Sequence, residues 1–246
     1  MTGTWLRIPK RWWLATALLF GGAIVIVRVG QVEPRFEGRD LRDWLDDPAL
    51  SESEIRRAVQ AIGTNAIPTL QRWLSKESTS LERALHWVDV RQPYFIFNHS
   101  PSADANQRAM RGFLLLGQQA APAVPWLAAG AARRDANFMF YAMALTVSGP
   151  AGETALDRID SRASLPERLL IVRALSSGGV HRSAGARNAL LHRLADGDVA
   201  VRRQVIRGVL ERQHDWPPEV MAAMRERALR ESDESLRALI RLMVED

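Results

Sequence analysis

The sequence predicts an all-α protein, in which about five helical hairpins form a right-handed α-solenoid preceded by one transmembrane helix. Two stretches, 61–70 and 115–124, share one pattern: an apolar helix ends at a glycine, and another begins behind a small residue and a proline. A hairpin of this kind cannot bury its own apolar face, so it has to stack on its neighbours. No run of alternating apolar and polar residues indicates a half-buried strand.

A basic cluster and an apolar run at the amino terminus predict a membrane anchor. Arg7, Lys10 and Arg11 precede residues 12–32, in which Arg28 is the only charged side chain. At 1.5 Å per residue, about twenty residues span a ~30 Å hydrocarbon core. The positive-inside rule places the basic tail, 1–11, in the cytoplasm and everything behind the helix on the outer side of a bacterial inner membrane.

Two other interpretations of the apolar run stay open. A cleaved signal peptide would use Gly21 and Ala23 as its small-x-small site, but the new terminus, 24–27, would then be apolar. A buried soluble helix would need apolar cover on every face. An uncleaved signal anchor fits the residues best.

The exported part divides into a connector with a short helix, 33–50, and a repeat domain, 51–246. Asp40 is placed to cap the short helix, and three capping boxes, in which a hydroxyl precedes a glutamate by three residues, begin at Ser51, Thr79 and Ser164. Apolar residues at helical spacing predict the other helices. These lie over 67–74, after Asp104, over 120–131, 137–147, 151–159 and 183–195, after Asp198, from Trp216 and after Asp233.

The helical pattern breaks over 90–101, which is bracketed by prolines and rich in aromatic residues. This segment is predicted to be a loop. Aromatic side chains in a repeat insertion can anchor a partner, so Tyr94, Phe95, Phe97 and His99 are the candidate partner-binding residues. The alternative is that the loop folds down over the open side of the hairpin that begins near Thr79.

One turn near the carboxyl end has a distinctive composition. Within residues 194–205, a turn contains Asp196 and Asp198. The pair Val201-Arg202 follows at the start of the next predicted helix. This stretch resembles HEAT repeats of the short bacterial type shared with phycobilisome-lyase-type proteins. The resemblance implies that aspartate and arginine pair along the solenoid as a structural ladder. The front half is similar to small membrane-anchored bacterial HEAT proteins over 38–45, 58–70 and 112–127.

The sequence contains no recognisable catalytic or metal-binding motif. It contains no cysteine, and none of the five histidines lies in a metal-binding helix motif. No nucleophile elbow and no phosphate-binding glycine loop are present either. The +5 charge comes mainly from arginines that alternate with acidic residues, which is typical of solvated helix faces.

These observations predict a membrane-tethered, extracytoplasmic scaffold that binds a protein or peptide partner, without catalysis, metal or cofactor. HEAT-like families bind other macromolecules and share no common active site, which points the same way. One alternative is an enzyme or enzyme subunit of the lyase-associated HEAT type. Another is a repeat protein that binds nucleic acid, which would require the opposite membrane topology.

Overall fold

The computed structural model describes residues 33–79, 101–177, 183–211 and 216–244, and this part of the chain is predominantly α-helical, as predicted. The proposed anchor, 12–32, and the aromatic segment, 90–100, lie outside these ranges. Among the helices that are described, none combines the length and the apolar composition needed to cross a membrane.

The described elements follow one another with short connections. They are β1 (Arg35–Phe36), β2 (Arg39–Asp40), α1 (Leu41–Asp46), α2 (Glu52–Ile62), α3 (Ile67–Leu74), α4 (Pro101–Leu116), α5 (Val124–Ala132), α6 (Phe138–Val147), α7 (Pro150–Asp160), α8 (Leu165–Ser176), α9 (Ala184–Arg193), α10 (Val199–Leu210), α11 (Pro218–Arg230) and α12 (Glu234–Val244). Two 3-10 turns, Gly63–Ala66 and Gly117–Ala123, precede α3 and α5.

The two strands form a small antiparallel hairpin that the sequence patterns did not predict. Its turn residues, Glu37 and Gly38, have φ angles of 49° and 78°, as a two-residue turn between antiparallel strands requires. Strands of two residues are too short to show an alternating pattern. The indole Nε1 of Trp44 donates a hydrogen bond to the Phe36 carbonyl at 3.0 Å, which ties the hairpin to α1.

Local sequence signals begin α2 and α8 where they were expected. Ser51 Oγ accepts from the Glu54 backbone N–H at 3.3 Å, and Glu54 Oε2 accepts from the Ser51 N–H at 2.8 Å. The same reciprocal box joins Ser164 and Glu167. These two capping boxes are therefore confirmed, whereas the one at Thr79 extends outside the described residues.

Two predicted helix starts differ from the structure. Residues 101–104 already belong to α4, so Asp104 lies inside the helix rather than capping its start. Helix α5 begins at Val124 rather than near residue 120, because residues 117–123 wind as a 3-10 turn.

The helices pack in two series that follow chain order. Helices α2, α4, α6, α8, α10 and α12, the first layer, each contact the next member of the series. Helices α5, α7, α9 and α11, the second layer, do the same, while α3 packs on α4. One continuous apolar core runs from Leu41 to Ile240.

Glycine turns end three helices of the first layer in the same way. Gly63, Gly117 and Gly149 have φ angles of 60°, 56° and 79°, a region that favours glycine. A Cβ atom on Gly63 would lie 3.4 Å from Oε1 of Gln119, and one on Gly149 would lie 3.2 Å from Cγ of Gln118. Consecutive turns therefore lie side by side, as repeats of one unit would.

Candidate functional site: an arginine ladder and two grooves

The four aromatic-segment residues proposed to bind a partner lie outside the described part of the chain. Tyr94, Phe95, Phe97 and His99 therefore stay a prediction. The predicted ladder residues are described, and they lie in turns between helices that also border two grooves.

Arg202, in the first part of α10, connects the turn before α10 to the turn before α12. Its side chain is buried, and Nε and Nη2 donate to the two carboxylate oxygens of Glu231 at 3.0 and 2.8 Å. Its Nη1 donates to the backbone carbonyls of Asp196 and Gly197 at 2.9 and 3.1 Å. Asp198 does not contact Arg202 through its carboxylate: Oδ1 accepts from the Ala200 N–H at 2.8 Å and caps α10, and Oδ2 lies 3.9 Å from Nη2 of Arg168.

A similar contact is made from the start of the preceding first-layer helix, α8. Arg168, four residues after the N-cap Ser164, donates from Nη1 to both oxygens of Asp196 at 2.7 and 2.8 Å. Oδ1 of Asp196 also accepts from the backbone N–H of Asp198 at 2.8 Å. The Asp196 carboxylate thus joins α8 to the turn that begins α10.

The arrangement continues into the last helix. Arg237, four residues after Asp233, donates from Nε and Nη2 to the backbone carbonyl of Glu231 at 2.9 and 2.5 Å. We call Arg168, Arg202 and Arg237, with their acceptors Asp196 and Glu231, the arginine ladder. Sequence reasoning found Arg202 and Asp196 but missed the other three, although the spacing of four residues from the cap could have shown both additional arginines.

Between α4 and α6 the buried polar contact is made by neutral amides rather than by an ion pair. The amides of Asn106 and Asn137 are buried and hydrogen-bond to each other at 3.0 Å. The Nδ2 of Asn137 also donates to the Leu74 carbonyl at 3.0 Å. Tyr141, four residues after the N-cap Asn137, accepts a bond of 2.8 Å from Nη2 of Arg133 at the ladder position.

Glu231 is the most strongly perturbed acid of the ladder. Burial by itself raises its pKa, but hydrogen bonds from Arg202, from the Asp233 N–H and from Arg227 outweigh burial and lower the pKa to about 2. The hydrogen bond to Glu231 in turn raises the pKa of Arg202. The buried pair is therefore ionised wherever the protein functions near neutral pH.

A groove of about 460 Å³ lies between α7 and α9, and we call it the second-layer groove. Its lining includes the carboxylates of Glu153, Asp157 and Asp160 together with His192. Asp160 is bound to the buried Arg193, whose Nη2 lies 2.9 Å from Oδ2. The exposed part of this groove is therefore negatively charged.

The hydroxyl groups in the second-layer groove are not arranged as nucleophiles. Ser161 Oγ donates to the Arg158 carbonyl at 3.0 Å, and Thr146 Oγ1 donates to the Ala142 carbonyl at 2.8 Å. An activated hydroxyl would instead donate to a base such as His192. Among the described residues, no group of three or more histidine or acidic side chains is placed to hold a metal ion.

A second groove, of about 700 Å³, lies between α8 and α10, and we call it the first-layer groove. Pro166, Leu169 and Leu170 form an apolar strip on α8, and Arg173 follows one turn later. The other side is polar and includes Gln204 and Glu211. The two grooves therefore differ in both polarity and charge.

The pKa of Glu231 generates a prediction about stability at acid pH. Because its folded pKa of about 2 lies below the ordinary value of 4.5, the ionised carboxylate stabilises the fold above pH 4.5, and that contribution is lost as pH falls towards 2. A difference of this size corresponds to about 3 kcal/mol. Urea unfolding of residues 33–246 between pH 6 and pH 3 should show about 2 kcal/mol of this loss, because the folded carboxylate is still mostly ionised at pH 3. Glu231→Gln should remove this loss from the pH profile.

The matched control for that titration is Glu234→Gln, which neutralises an exposed carboxylate three residues further on. Its profile should follow that of the wild type. Parallel profiles for wild type and Glu231→Gln would show that Glu231 does not stabilise the fold through its charge.

No protein-family model, curated protein or solved structure matches this chain.

Proposed function

We propose that this chain is a membrane-tethered HEAT-like α-solenoid that binds a protein or peptide partner outside the cytoplasm and performs no catalysis. The arginine ladder is the observation that supports this most directly. It repeats one contact between successive repeats, from Arg168 to Asp196 and from Arg202 to Glu231. Repeats that contact only their neighbours form an extended surface, and binding is the usual use of such a surface.

The arrangement of the helices in two layers also supports a binding function. First-layer helices contact one another in chain order, and so do second-layer helices. Each layer leaves a groove between neighbouring helices, with volumes of about 460 and 700 Å³. Grooves of this size suit side chains of a peptide.

The absence of an activated nucleophile in the second-layer groove supports binding over catalysis. Both hydroxyls in its lining, those of Ser161 and Thr146, donate to backbone carbonyls. A Ser–His pair would need the serine proton to face His192. This groove therefore offers charge and shape to a ligand, and no group ready to attack it.

The location of the repeats is proposed from the sequence of the amino terminus. Arg7, Lys10 and Arg11 before the apolar run favour a cytoplasmic tail. We expect the full chain to stay in the membrane pellet after carbonate extraction, and alkaline phosphatase fused behind Asp246 to be active. An inactive fusion would place the repeats in the cytoplasm. Release of the chain by carbonate would show that residues 12–32 do not anchor it in the membrane.

Binding is tested by cross-linking and affinity capture of the tagged full chain from its native membrane. The matched control is a tagged segment of residues 1–50, which keeps the proposed anchor and short helix and lacks the repeats. We expect the full chain to capture a protein partner in a saturable amount, and we expect the 1–50 segment not to capture that protein. Recovery of the same proteins in both captures would contradict a binding function of the repeats.

A further inference from the structure

We propose that the first-layer groove binds an amphipathic helical segment of the partner that carries acidic side chains beside its apolar ones. This inference rests on the proposed binding function and deepens it by naming the chemistry of the partner. It follows from the apolar strip on α8 and from two exposed arginines near that strip that form no ion pair with the residues the structure describes.

The apolar strip supplies the contact surface. Leu170 is 39% exposed and, with Leu210 and Leu229, is one of three exposed large hydrophobic residues in the described part of the chain. Pro166 and Leu169 line the groove beside it. A partner helix buries residues at i, i+3 and i+4 in such a groove, so a short row of leucine-like side chains would cover this strip.

The charge beside the strip is positive. Arg173 lines the groove and is exposed, and none of the ion pairs among the described residues involves it. Arg207 is also exposed and lies three residues after Gln204 and four before Glu211, so it faces the same side of α10. Two arginines against one carboxylate favour an occupant with acidic side chains.

Arg173 differs in this respect from the ladder arginine on the same helix. The guanidinium of Arg168 is occupied by Asp196 at 2.7 Å. The charge of Arg173 serves no such contact within the described residues and is available to a ligand. The second-layer groove, with Glu153 and Asp157 in its lining, would repel the same acidic segment. The charges therefore assign the segment to one groove.

A random peptide library displayed on phage, selected against the full chain in lipid nanodiscs, tests this inference. We expect enriched peptides to combine glutamate or aspartate with leucine-like residues at helical spacing. Arg173→Glu should reduce their retention at least tenfold. Arg158→Glu, which reverses an exposed arginine on α7 away from this groove, should leave it unchanged.

A charge swap makes the test specific. Replacing the acidic residues of an enriched peptide by lysine should abolish binding to the wild type and restore it to Arg173→Glu. Leu170→Asp should weaken binding of the original peptide. Circular dichroism should show that Arg173→Glu and Leu170→Asp are folded, since Arg173 and Leu170 are exposed in the wild type.

Three outcomes would overturn the inference: no enriched peptide, enrichment of basic peptides, or acidic peptides that bind Arg173→Glu as well as the wild type. Capture of the native partner distinguishes failure of this inference from failure of the proposed binding function. If the full chain captures a partner and Arg173→Glu captures it equally, the binding function stands and another surface is used.

Discussion

Arg202 reaches the turn before its own helix, α10, and the turn before α12, and contacts of this kind join the last three first-layer helices. Glu231 receives hydrogen bonds from Arg202, from Arg227 and from the backbone of Asp233 while fully buried. Removing one member of a buried ion pair is costly because the other charge stays desolvated. If α8, α10 and α12 packed in another order, such charges would be left unpaired, so the ladder favours the neighbours that are observed.

The sequence predicted those parts of the fold that are encoded locally. The capping boxes at Ser51 and Ser164, and the helix endings at Gly63 and Gly117, need only residues within a few positions of each other. The partners of the ladder are 28 and 29 residues apart, so no local pattern assigns them. The hairpin before α1 was missed for the opposite reason, because its strands are too short to show any period.

The candidate surface was harder to predict than the fold. Aromatic content drew attention to Tyr94–Phe97, which lies outside the described residues, whereas Leu169 and Leu170 look like an ordinary apolar helix face in sequence. Their exposure depends on where α10 lies relative to α8, which is a tertiary property. The two grooves differ in the charges they present, since acidic side chains line the second-layer groove while Arg173 and Glu211 line the first-layer groove.

A double-mutant cycle between Arg202 and Glu231 tests most directly whether the ladder stabilises the packing of α10 against α12. Urea unfolding of residues 33–246 would be measured for Arg202→Ala, Glu231→Gln and the double variant, with Arg203→Ala, an exposed neighbour, as the control partner. We predict a coupling free energy above about 1.5 kcal/mol for the ladder pair and additivity within about 0.5 kcal/mol for Arg203. Additive effects of Arg202→Ala and Glu231→Gln would contradict the account.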